Sequence, residues 1–393
     1  MNIVHTLNTM KIKHLERERE REYLKYLQTL RGIAILCIVI CHTRIFNGVF
    51  NCLGPMAVSI FFILSGFVMV YNYYKADKIR SCSFIKNIMF SYRKIKKLWI
   101  LNLLLTSFLT LFWFSEEQNN PLWLLIYKLL LNILLIQEWF PIKDVSINGV
   151  SWFLCTILFA NFVFPWWIRI IEKFYTKLIA YILTIFCLFL EIVIAVIAND
   201  LQSVLWIQQI PFIETNLSGW LVYSFPLSRF LDIVIGYNLA FIFLNIDSLP
   251  KKYTNAIQIF ALILSFISCI FYNLYNEDLD NHLLSLLTLN FIFTTSSICL
   301  VFTFASNDGY LTNLIGNKIF LYFAQISPQI FLIHPIVFCC INKIYYHIPY
   351  IDPLPFIDTY GCYINLTIGF LITILCSEIW KNIEQTTFIN RHG

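Results

Sequence analysis

The sequence predicts an all-α membrane protein, a polytopic transmembrane helical bundle of about ten spans with one further amphipathic or re-entrant helix. Three observations carry that expectation. Of 393 residues, 59% are hydrophobic and 13% are charged, with a mean hydropathy of +0.70, which is too little polar surface for a soluble domain of this size. The apolar residues gather into runs near the ~20 that a helix needs to cross a bilayer. Basic residues concentrate between two of these runs, at 75–97, as they do in cytoplasmic loops.

The chain opens on a charged segment, 1–24, where Lys11, Lys13, Arg17, Arg19 and Arg21 stand among glutamates. It shows no cleavable signal and is expected to stay in the cytoplasm. Eleven apolar runs follow, starting near Leu30, Pro55, Leu98, Leu122, Val150, Lys177, Tyr223, Asn255, Leu283, Phe320 and Gly361. If all eleven crossed, Arg169, Lys173, Lys177, Lys251 and Lys252 would face outward and the acidic loop 277–280 inward, against the positive-inside bias. Demoting one run removes every conflict. The weakest is 122–138, which is short and carries Lys128 and Asn132, so it is expected to be the amphipathic or re-entrant helix on the outer face.

Ten spans then place both termini in the cytoplasm, together with Lys75, Lys78, Arg80, Lys86, Arg93, Lys94, Lys96 and Lys97 after the second span. The loops around Glu116-Glu117, 199–219, 277–280 and 347–360 face outward. One membrane domain, 25–382, fills nearly the whole chain, leaving a short tail at 383–393. The twelve cysteines are scattered through apolar runs, Cys37, Cys155, Cys187, Cys269, Cys299 and Cys376 among them. Their spacing suits neither a disulfide framework nor a zinc site, and no metal is expected.

Ionisable residues inside spans are costly in lipid and mark candidate sites. Arg31 falls near the inner edge of the first span and His42 in its outer half, about 16 Å apart along a helix at ~1.5 Å per residue. Eleven residues is close to three turns, so both side chains share a face that can line a path through the bundle. The bland alternative is a snorkelling arginine and a hydrogen-bonded core histidine. At the start of the third span Arg93, Lys96 and Lys97 recur about one turn apart and can hold phosphate oxygens, although from charge alone ordinary membrane anchoring is the stronger explanation. Ser151-Trp152-Phe153-Leu154 opens the fourth span and Phe164-Pro165 closes it. Arg229 and Asp232 sit one turn apart, as an internal ion pair would. His334 precedes Pro335, whose place in a helix frees backbone groups that the imidazole can satisfy.

In their order and spacing, these elements resemble the acyltransferase 3 family. They are the Arg31-to-His42 spacing, Phe61-Phe62-Ile63-Leu64-Ser65-Gly66-Phe67, the basic stretch at Arg93, Ser151-Trp152-Phe153-Leu154, the stretch from Arg229 to Gly236, and Leu332-Ile333-His334. The resemblance covers about residues 25 to 380. It implies an integral membrane acyltransferase that moves an acyl group, usually acetyl from acetyl-CoA, onto a hydroxyl of a cell-envelope sugar or polysaccharide, an O-acetylation. It implies His42 as catalytic base or acyl relay, with Arg31 as its partner, and Arg93 and Lys96, beside Lys97, at the phosphates of CoA. Ser151, Trp152, Arg229 and His334 are the expected substrate-lining residues. The expected setting is a bacterial cytoplasmic membrane, with acyl-CoA, a glycan acceptor and lipid as partners and no nucleic acid. Leu98-Trp99 stands where the family commonly has a proline, and Cys155-Thr156-Ile157-Leu158 where many members carry a glutamate. The competing classes are a lipid-linked glycan transporter or flippase and a glycan polymerase, neither of which needs CoA.

Overall fold

The computed structural model describes residues 25–43, 45, 49–74, 83–112, 121–202, 212–246, 250–275, 282–305, 310–346 and 357–389. The charged head 1–24, Lys75, Lys78, Arg80, Glu116-Glu117, the acidic loop 277–280 and residues 347–356 lie outside them. The described residues form helices in the order α1 (Lys25–Thr43), α2 (Leu53–Tyr73), α3 (Phe84–Phe112), α4 (Leu122–Leu134), α5 (Trp152–Phe174) and α6 (Lys177–Gln202). After these come α7 (Leu217–Leu244), α8 (Lys251–Tyr275), α9 (His282–Ala305), α10 (Lys318–Tyr346) and α11 (Gly361–Thr386). Among the described residues the one β feature is an isolated bridge between Ile142 and Ile213. All of these helices except α3 and α4, nine in number, are long and apolar enough to cross a bilayer.

Helix α3 is 29 residues long and carries the basic cluster within its first half. It therefore starts at Phe84, well before the apolar run at Leu98, because Lys and Arg are good helix formers and the backbone has no reason to break where polarity changes. Helix α4 matches its expected character. At 13 residues it reaches only about 20 Å, short of the ~30 Å hydrocarbon core. Leu122, Trp123, Ile126, Leu130 and Ile133 are exposed on it while Lys128 and Asn132 are buried, an inside-out pattern suited to lipid. Asn132 donates to the Val145 carbonyl at 2.6 Å and accepts from the Ile147 amide at 3.3 Å, pinning the loop before α5.

Two boundaries differ from the sequence expectation. Pro165 does not close the fourth span, since α5 runs through it to Phe174. The missing N–H costs one backbone hydrogen bond, but neighbouring α3 and α7 pack along α5, and hydrocarbon offers the chain no other way to satisfy its backbone. Helix α7 begins at Leu217, earlier than Tyr223, because the Asn216 side chain accepts from the Gly219 amide at 2.8 Å and caps it. It passes through a π-helical turn, Trp220–Ser224, and restarts with Pro226 in its first turn. The helix that carries the α11 span also runs past Thr386 to Ile389, into the segment 383–393 expected to be a tail. There Glu384 is buried and accepts from Trp380 Nε1 at 2.7 Å, while Lys97 of α3 pairs with it at 3.7 Å.

Helices α2 and α7 form the most extensively packed pair and the centre of the bundle, while α6, α8 and α11 leave most of their surface exposed, as lipid-facing helices do. The α2–α7 crossing is set by two glycines. A Cβ on Gly66 would run into the Ile233 carbonyl oxygen, and one on Gly236 into that of Ile63. Between membrane helices, close backbone approach replaces the hydrophobic driving force that lipid removes. Gly236→Ala is therefore expected to push α2 and α7 apart and to lower stability by about 1–3 kcal/mol, the usual range for an overpacked core. A thermal unfolding curve in detergent that is unchanged from the wild type would refute this contact.

Candidate active site

Helix α1 ends where the site begins. The Thr43 hydroxyl donates to the Ile40 carbonyl at 2.7 Å and closes its last turn, one residue after His42. The His42 imidazole stands exposed in a cavity of about 1710 Å³, larger than the ~300–1,000 Å³ of ordinary small-molecule pockets. Trp152, Trp220, Tyr223 and Tyr272 supply aromatic wall, and Glu138, Ser146, Asn216 and Asn342 supply polar groups. Because α1 and α2 meet this cavity with Thr43 and Gly54, and α2 ends far from it at Tyr73, the cavity lies at the end of the bundle opposite the start of α3.

His42 Nδ1 lies 2.9 Å from the Ile38 carbonyl oxygen. A carbonyl only accepts, so the neutral ring carries its proton on Nδ1 and its lone pair on Nε2. His334 repeats the arrangement on α10, with Nδ1 2.9 Å from the Ile330 carbonyl. The two rings meet edge to face with centroids 4.8 Å apart. His334 is fully buried and its Nε2 has no hydrogen-bond partner. Each ring, with Nδ1 turned back to its own helix, thus leaves Nε2 as its basic nitrogen. Trp152 packs against Tyr223 at 4.8 Å and Phe62 at 5.8 Å, which joins these rings into one packed aromatic wall.

The expected site residues separate into three groups. His42 and Trp152 line the cavity and His334 backs His42. Ser151 and Arg229 are buried behind the wall: Ser151 accepts from Gln137 Nε2 at 3.0 Å, and the Arg229 guanidinium lies 4.8 Å from the Tyr223 ring. Arg31, Arg93, Lys96 and Lys97 are not among the cavity-lining residues and belong to the opposite half of the bundle, at the starts of α1 and α3. Arg31 Nε is buried without a hydrogen-bond partner. Arg93 is exposed, with Nε donating to the Met89 carbonyl at 3.1 Å, and Lys97 meets Glu384.

Sequence reasoning missed Glu138. It sits in the 3₁₀ turn Gln137–Trp139 after α4, is nearly fully buried, and lines the cavity. Ser146 donates to its Oε1 at 2.6 Å, and Trp220 Nε1 to its backbone carbonyl at 3.2 Å. A glutamate at the C-terminal end of the demoted run was the available signal. Burial pushes its carboxyl above the ordinary carboxylate range; hydrogen bonds from Ser146 and Ser224 oppose the shift and the charge of Glu214 adds to it. The folded state therefore binds more protons than the unfolded one, and stability falls as pH rises from the ordinary carboxylate range through the raised value. Glu138→Gln is expected to flatten that part of the stability–pH curve, measured as melting temperature across a pH series. A wild-type curve already flat there would show the carboxyl to be unperturbed.

A family model described as an acyltransferase domain, that of the acyltransferase 3 family, matches residues 24–378. The acyltransferase MdmB of Streptomyces mycarofaciens is 28% identical over 166 residues, which are 38% of this chain and 40% of that relative. The chain thus covers less than half the length of this curated relative. No solved structure matches.

Proposed function

The chain belongs to the acyltransferase 3 family, and from that premise we propose that it is an integral membrane O-acyltransferase, moving acetyl from acetyl-CoA to a hydroxyl of a cell-envelope sugar or polysaccharide. The observation that carries this reading is His42, lone pair on Nε2, in a large aromatic-walled cavity at one end of a helix whose other end carries Arg31.

The residues divide the work. In this reading Arg93 and Lys96, with Lys97 beside them, hold the CoA phosphates at the cytoplasmic end by charge-assisted hydrogen bonds. The pantetheine arm runs along α1 past Arg31 to place the thioester near His42, a separation of about 16 Å. Trp152 and Trp220 offer flat apolar faces to a sugar ring. His42 Nε2 takes the acceptor hydroxyl proton as that oxygen bonds to the thioester carbonyl carbon. The C–S bond then breaks, and CoA leaves as the thiolate, which takes up a proton. His334 holds the His42 ring and shares the charge of the imidazolium. Arg31 steadies negative charge on the donor side.

The test is transfer of radiolabel from acetyl-CoA to envelope glycan in membranes containing the protein. Arg93→Ala combined with Lys96→Ala is expected to raise KM for acetyl-CoA at least tenfold with kcat changed far less, since phosphate contacts bind ground and transition states alike. Absence of transfer by folded wild type from any short acyl-CoA would overturn the reading and leave glycan transport as the alternative.

A further inference from the structure

Three fully buried charges meet where α6, α7 and α9 pack together. Arg229 Nη1 of α7 donates to Asp232 Oδ2 at 3.1 Å, and the Thr294 hydroxyl of α9 donates to Asp232 Oδ1 at 2.6 Å. Glu191 of α6 is also fully buried, and its charge interacts with both Asp232 and Arg229. Asn290 Nδ2, in a π-helical turn of α9, donates to the Glu191 backbone carbonyl at 3.0 Å. The cluster thus holds one guanidinium, which engages Asp232, and two carboxyl groups. Both Glu191 carboxyl oxygens and Asn290 Oδ1 are left without a hydrogen-bond partner, and so is one donor, Arg229 Nη2.

A net negative charge at this depth is too costly to stand, because buried charge is paired or neutralised. An ionised carboxylate accepts only, so it can do nothing for Asn290 Oδ1, which also accepts. A carboxylic acid adds the missing positive charge and a second donor beside Arg229 Nη2, while its carbonyl oxygen still accepts. We propose that Glu191 carries a proton at neutral pH, so that Glu191, Asp232 and Arg229 form an intramembrane proton-binding site. The other groups facing Glu191 leave it the natural place for that proton. Cys187 lies one turn away on α6, Asn290 and Thr294 on α9 do not titrate, and Asp232 is already held by Arg229 and Thr294.

The site touches the cavity through Arg229, whose Nε donates to the Tyr223 carbonyl at 2.9 Å and whose guanidinium stacks on the Tyr223 ring. Loss of the proton leaves Glu191 competing for the guanidinium that supports this wall. π-Helical turns at Trp220–Ser224 and Thr288–Ile292 lie next to these contacts, and such turns often sit at functional sites.

The test is infrared spectroscopy of the purified full-length protein in detergent at neutral pH. The wild type is expected to show the carbonyl stretch of a buried protonated carboxylic acid, and Glu191→Gln to lose it while melting within a few degrees of the wild type. Glu191→Met provides a second variant lacking the acid should the glutamine variant misfold. Equal acid bands in the wild type and a folded variant would overturn the proposal. So would a rise in melting temperature with sodium chloride, but not choline chloride, that Glu191→Gln abolishes, since a sodium ion would then hold the place of the proton.

Discussion

His42→Ala is expected to lower acyl transfer by about 10²- to 10⁴-fold, the usual contribution of a positioned general base, without lowering the melting temperature. The imidazole is exposed in the cavity and bonds back to its own helix, so its removal opens little packing. His334→Ala differs in kind: that ring is fully buried against Phe331 and Phe338, and its loss adds a core cavity to whatever it costs in rate. The measurement is acetyl incorporation per folded protein for each variant beside the wild type. Retained transfer in His42→Ala would place the base elsewhere in the cavity, with Glu138 the next group to test.

Arg229→Met should cost about 3–5 kcal/mol of stability, the range for removing one partner of a buried pair. The guanidinium is fully buried and engages Asp232, Ser59 and the Tyr223 carbonyl, so methionine strands a carboxylate in the core. Arg229→Met with Asp232→Asn should recover most of the loss. Lys381→Met is the control. Its partner Glu378 lies 3.6 Å away, but both side chains are partly exposed at 22% and 30%, and such pairs contribute ~0–1 kcal/mol. Equal melting temperatures for Arg229→Met and Lys381→Met would mean that the buried pair has no special weight.

The helical class was legible because lipid leaves the backbone few choices: an apolar run near 20 residues must be a helix. The same physics made α4 recognisable, since Lys128 and Asn132 interrupt a run already too short to cross. Pro165 and the start of α7 were misjudged because local breakers and caps compete with packing, and the competition is decided by neighbours remote in sequence. Glu384 shows the same limit. Read locally it belongs to a polar tail, yet it is buried against Trp380 and reached by Lys97 of a helix far earlier in the chain.

Composition and the spacing of apolar runs were enough for the membrane-bundle class, and motif order for the family. Periodicity placed Arg31 and His42 on one face of α1. None of this depends on which helices touch, since each statement concerns one segment and its solvent. The pairing of His42 with His334, the entry of Glu138 into the cavity and the meeting of Glu191 with Asp232 and Arg229 required the packed bundle. Each joins side chains from separate elements, and burial and charge balance are properties of the neighbours that folding supplies.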